Sequence, residues 1–167
     1  MTPESAVAQL AASLFAHEID ASLLASLQQP ETALILEKIE PRVAPLLGKE
    51  WASQDFEDAA VGYCRLFILD PVAPARAAAY DEKNSLEVAG RIQFMLDSGF
   101  LELPKRFKTL APDHVALLLL VYSTLMGDDS IQFKGDNLAW LPDFSARLEN
   151  ESQHPLYLLA AKILRVV

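Results

Sequence analysis

The chain has 167 residues, of which 51% are hydrophobic and 22% charged, with a formal net charge of −9. This composition suits one globular domain with a substantial core and is far from a disordered chain. The acidic balance argues against sequence-independent nucleic-acid binding, which needs Lys and Arg against phosphate, and is compatible with a basic peptide partner.

Helical periodicity runs through almost the whole chain. Val7, Leu10, Leu14 and Phe15 form one apolar stripe, and Leu23, Leu24 and Leu27 a second. Pro30 suits the first turn of "PETALILEKIEPRVAPLL", which Pro41 and Pro45 should end or kink. Ser53 is the expected N-cap of "SQDFEDAAVGYCRLFIL", where Asp55, Glu57 and Asp58 favour the positive end of the helix dipole, and Asp70-Pro71 ends that helix. "PVAPARAAAYDEKN" is a Pro/Ala connector with room for a short helical turn. Asn84 and Glu87 make a capping-box-like start for "SLEVAGRIQFMLDSGF", and Gly99 fits its C′ stop. "LELPKRFKTL" is a turn rich in basic residues.

"KTLAPDHVALLLLVYSTLM", Lys108 to Met126, is the most apolar helix and belongs at the centre of a bundle. "GDDSIQFKGDN" reads as a polar, mobile loop. "WLPDFSARLEN" begins a shorter helix, and "HPLYLLAAKILRVV" closes the chain as another. There is no internal repeat or linker, so residues 1–167 are expected to form one all-α, single-domain helical bundle.

Cys64 is the only cysteine, which excludes an internal disulfide and a thiolate metal cluster. The first twenty residues carry Glu4, Glu18 and Asp20 without a basic region, so they do not read as a secretory leader. The apolar run from Val115 stops by Gly127. A soluble, cytoplasmic protein without stable membrane insertion is expected. No phosphate loop, dinucleotide fingerprint, nucleophile elbow or zinc-protease motif is present, and His17, His114 and His154 lack metal-ligand spacing.

Asp113-His114, just after Pro112, admits two readings. One is helix initiation, with Asp113 complementing the dipole; the other is a functional pair. A charged imidazole is disfavoured at a helix N-terminus, so the pKa of His114 is expected to be depressed. Tyr63, Leu66 and Phe67 share a helix face that is either core or the wall of a groove for an apolar peptide. Trp51 and Trp140 read as core or boundary residues, Cys64 as a small buried hydrophobe, and Lys105, Arg106 and Lys108 as a solvated face.

Three stretches together resemble the TorD-type redox-enzyme maturation chaperones. "YCRLFILDPVAPARAAAY" is similar to the family's aromatic-x-x-Leu-Phe segment, Pro-rich connector and closing aromatic. "APDHVALLLLVYSTLM" is similar to its Pro-Asp-His entry into a central helix. "WLPDFSARLENESQHPLYLLAAKIL" is similar to its Trp-x-Pro-x-Phe element and final helix. The resemblance spans Tyr63 to the C-terminus and is that of a divergent member. Ala111 replaces an acidic residue, the central helix lacks glutamates, and Pro74-Ala75-Arg76-Ala77 replaces a Pro-Pro-aromatic-x-Ser element.

The resemblance implies a non-enzymatic chaperone without a cofactor. Its partner would be a molybdoenzyme precursor, held through its twin-arginine signal peptide or its apo form until cofactor insertion and export. Tyr63, Leu66 and Phe67 would line an apolar peptide groove, with Asp113 and His114 at its polar end. A carboxylate there suits a guanidinium. The rival readings are a helical scaffold or adaptor, and a small enzyme with His114 as base beside Asp113. The enzyme lacks a nucleophile, and adjacent helical residues diverge by about 100°. A monomer or a dimer swapped at Gly127–Asn137 fits the polar segment there.

Overall fold

The computed structural model describes residues 3–167. Among the described residues it holds ten α-helices and no strand. They are α1 (Pro3–Ala16), α2 (Ala21–Leu27), α3 (Pro30–Ile39), α4 (Ala44–Leu47) and α5 (Ser53–Phe67), followed by α6 (Glu82–Asp97), α7 (Val115–Tyr122), α8 (Asp128–Asn137), α9 (Leu141–Glu151) and α10 (Pro155–Ile163). Short 3₁₀ turns occupy Pro41–Val43, Ala77–Ala79 and Lys105–Phe107. The all-α expectation is met. No helix among the described residues is long and apolar enough to cross a membrane.

All eight residues of α7 are buried, and α1 lies along it. Each buried leucine there contributes about 1.5–3 kcal/mol relative to an exposed one. Helix α10 packs on α9 and also meets α1, α3 and α5. An aromatic cluster joins these layers. Phe67 stands edge-on to Phe15, Tyr63 and Tyr157 at centroid distances of 5.8, 5.0 and 5.8 Å. Phe144 continues the cluster to Trp140 at 5.6 Å, and Trp140 stacks on Tyr80 at 5.3 Å. Both tryptophans are buried, as the sequence suggested.

Helix ends depart from the expectations in instructive ways. The central helix is shorter than the run Lys108–Met126. Beyond Tyr122, the hydroxyls of Ser123 and Thr124 donate to the Leu120 and Val121 carbonyls, each at 2.7 Å. Such side chains compete with the backbone ladder, and the helix stops. Ser53 is the first residue of α5 and not its cap. Ala52 holds the cap position, and its N–H donates to Asp55 Oδ2 at 2.9 Å. Helix α6 starts two residues before Asn84, capped by Asp81, whose carboxylate accepts the Asn84 N–H at 3.3 Å.

Its end matches the expectation. Gly99 takes φ +76, its N–H donates to the Leu96 carbonyl, and the Phe100 N–H donates to Met95. The segment read as a mobile polar loop is instead α8. Asp128 and Asp129 sit in its first turn, where the dipole favours them, and Phe133 anchors it in the core. Asn137, also buried, accepts from Arg91 and donates to the Phe133 carbonyl. The segment read as a hinge, Gly127–Asn137, is therefore helical from Asp128 on, with Gly127 as the N-cap at φ +58.

Candidate functional site

The connector after α5 returns to the start of α7 and docks there as an antiparallel bridge between Arg76 and His114. The Ala77 N–H donates to the Asp113 carbonyl at 3.0 Å, and the Val115 N–H donates to the Ala75 carbonyl at 2.9 Å. The side chains reinforce the same junction. Asp113 is 2% exposed; its Oδ1 accepts from Arg76 Nε at 2.8 Å, and its Oδ2 accepts from the Ala78 N–H at 3.2 Å. A buried carboxylate thereby obtains a cation and a backbone donor, which its loss of hydration requires.

His114, not Asp113, caps α7: its Nδ1 accepts from the Ala116 N–H at 3.2 Å. That bond needs a neutral ring. The pKa of His114 is lowered to about 4, chiefly by burial; Asp113 opposes the shift and Arg76 adds to it. The depression expected from the sequence is present, with desolvation as its main cause. Among the described residues, Asp113 and His114 share no hydrogen bond, since each is bonded elsewhere.

The junction borders an open hollow of about 550 Å³. Tyr63, Phe67, Ile68, Pro71 and Leu110 give it apolar walls, and Glu18, Cys64, Arg76 and His114 add polar lining. A second hollow of about 750 Å³ shares His17, Glu18 and Thr109 with the first, so the two are contiguous. In the second, Arg106 donates to Asp20 Oδ2 at 2.6 Å, while Asp20 Oδ1 accepts the Leu23 N–H. Those bonds, the Leu23 one first, hold the Asp20 carboxyl below its ordinary pKa. The basic cluster is thus partly committed to an ion pair.

The residues singled out in the sequence fall into three groups. Tyr63, Phe67 and His114 border the hollow. The first two are nonetheless mostly core: the Tyr63 hydroxyl donates to the Phe15 carbonyl at 2.9 Å, and burial raises its pKa. Leu66 lines a different, smaller hollow beside Arg65 and His154. Asp113 lines neither and is held by Arg76.

The sequence reading missed Glu18, Ile68 and Arg76. Glu18 is exposed, lines both hollows and makes no ion pair among the described residues; its Oε1 accepts from Cys64 Sγ at 3.4 Å. Ile68 is 57% exposed and the adjoining Leu69 72%. The signals were modest. Arg76 is a single charge inside a Pro/Ala connector, and Ile68-Leu69 continue the α5 stripe beyond its end. The described residues hold no cluster of three or more His, Cys, Asp or Glu suited to a metal ion. Comparison with protein-family models, curated proteins and solved structures finds no match for this chain.

Proposed function

We propose that this chain is a chaperone of the TorD type, which holds a molybdoenzyme precursor by its twin-arginine signal peptide before export. One observation carries the reading: an open, largely apolar hollow adjoins an exposed carboxylate that makes no ion pair among the described residues. The peptide's apolar segment packs on Phe67, Ile68, Pro71 and Leu110. Glu18, rather than Asp113, receives an arginine through charge-assisted hydrogen bonds. Asp113 acts from behind, holding Arg76 and with it the connector that forms part of the wall. The net charge of −9 speeds encounter with a cationic peptide.

Calorimetric titration with a synthetic twin-arginine signal peptide tests the proposal. Glu18→Gln and Ile68→Asp change exposed side chains, so the fold is retained. Each is expected to weaken binding at least about tenfold, the scale of one lost charge-assisted contact. A twin-lysine peptide should bind more weakly, because an ammonium lacks the planar fork of guanidinium. Unchanged affinity in both variants overturns the assignment of this hollow.

A further inference from the structure

Helix α6 shows one apolar face to solvent. Leu86 is 85% exposed and Phe94 74%, while the opposite face, with Val88 and Ile92, is buried. Gly90 lies midway between Leu86 and Phe94. A Cβ placed there would meet nothing within 4 Å, so this fold itself does not require glycine at that position. Glycine inside a helix lowers its stability, and its use on an open face suits close approach of another backbone.

The charges on this face are arranged about the same point. Lys83 stands seven residues before Gly90 and Asp97 seven after it. With 3.6 residues per turn, Lys83, Leu86, Phe94 and Asp97 all lie within about 40° of the Gly90 direction. Each charge has the wrong sign for its own helix, with a cation in the first turn of α6 and an anion in the last. Neither makes an ion pair among the described residues, although Asp97 accepts from Gln93 at 2.8 Å.

We infer that α6 is a self-association face, on which a second copy of the chain crosses antiparallel with a two-fold axis at Gly90. That operation sets Leu86 of one protomer against Phe94 of its partner, and Lys83 against Asp97. Both pairs then occur twice. Each misplaced charge meets its opposite, and the two helix dipoles run in opposite directions. Such an interface is isologous and closes at two subunits. One helix face buries a small area, so the dimer is weak and its population follows protein concentration. The inference is independent of the peptide site.

Sedimentation equilibrium of the full chain, from about 1 μM to about 1 mM, provides the test. A reversible monomer–dimer equilibrium is expected, and Phe94→Glu should weaken it more than tenfold. Lys83→Asp or Asp97→Lys alone should weaken it likewise by opposing like charges, while the double reversal should restore it. Circular dichroism and the unfolding midpoint verify that each variant is folded. A chain that stays monomeric throughout assigns the face to a different partner and overturns the proposal. So does a dimer indifferent to Phe94→Glu, or a double reversal no better than the single ones.

Discussion

Arg76 reaches Asp113 through two nitrogens, Nε and a terminal guanidinium nitrogen, each 2.8 Å from the same carboxylate oxygen. The other oxygen is left to the Ala78 N–H at 3.2 Å. The pair is lopsided in exposure: the Asp113 side chain is 2% accessible and that of Arg76 55%. Removing the arginine strands a buried anion, whereas removing the aspartate leaves a cation that water can solvate. Arg76→Ala is therefore expected to cost about 2 kcal/mol. That is less than the ~3–5 kcal/mol of a fully buried pair, because half of this one is already solvated. The double variant with Asp113→Ala should lose less than the sum of the single losses. Urea unfolding of the four proteins measures the cycle; strict additivity would remove the coupling.

His114 and His154 do the same work at two helix starts. Each offers Nδ1 to a backbone N–H two residues on, Ala116 at 3.2 Å and Leu156 at 3.3 Å. Burial lowers both pKa values, that of His114 to about 4. Asp113 favours the charged ring of His114 and Arg76 opposes it, while Asp58 and Asp55 favour the charged ring of His154. Between pH 6.5 and about 4 the unfolded chain binds protons that the folded chain does not. Stability is thus complete above pH 6.5 and falls as pH drops toward 4. For His114 the loss is about 3 kcal/mol, the equivalent of a pKa lowered from 6.5 to about 4. His114→Asn keeps a cap acceptor without a titrating ring. It should flatten the pH dependence of Tm over that window, and an unchanged slope would refute the assignment.

Glu40 governs a lower window. Its side chain is 1% exposed and accepts from Arg42 Nε at 2.7 Å, Arg42 Nη2 at 2.9 Å and Lys162 Nζ at 2.9 Å, joining the end of α3 to α10. Hydrogen bonding by Arg42, followed by Lys162, outweighs desolvation and holds the Glu40 pKa near 2. A depressed carboxylate stabilises the fold above its unfolded pKa of about 4.5 and loses that contribution as pH falls toward 2. Glu40→Gln should cost about 1.5–3 kcal/mol at pH 7 and much less at pH 2.5. Guanidinium unfolding at the two pH values checks the difference; an equal cost at both would contradict it.

Much of the helical frame was legible in the sequence because its signals are local. Pro30 begins α3, Pro41 ends it, and Gly99 closes α6 with the left-handed backbone that a C′ position requires. The segment at Asp128 misled because its polar composition hid one decisive core contact, Phe133, and a buried Asn137. The site was less legible because it depends on pairings across the chain. Arg76 and Asp113 are 37 residues apart. Glu18 meets Cys64 across 46, and no spacing rule joins them. Tyr63 and Phe67 have a helical spacing common to core and groove; only the arrangement of Phe15, Phe144 and Tyr157 around them shows how much of each ring is core.

The contact between Glu18 and Cys64 offers a chemical reporter for the hollow. Cys64 Sγ lies 3.4 Å from Glu18 Oε1, and the thiol pKa is raised, by desolvation first and then by the hydrogen bond and charge of Glu18. The thiolate is the reactive form, so Cys64 should react with an aromatic disulfide reagent more slowly at pH 8 than a cysteine in an unfolded peptide. Glu18→Gln removes the anion and should accelerate the reaction, even though it opens no new access. A twin-arginine peptide seated in the hollow should slow it further by covering the sulfur, and the same peptide should have little effect on the Ile68→Asp variant. Stopped-flow absorbance gives each of these rates. A peptide that binds tightly yet leaves the Cys64 rate unaltered would place its binding site elsewhere on the molecule.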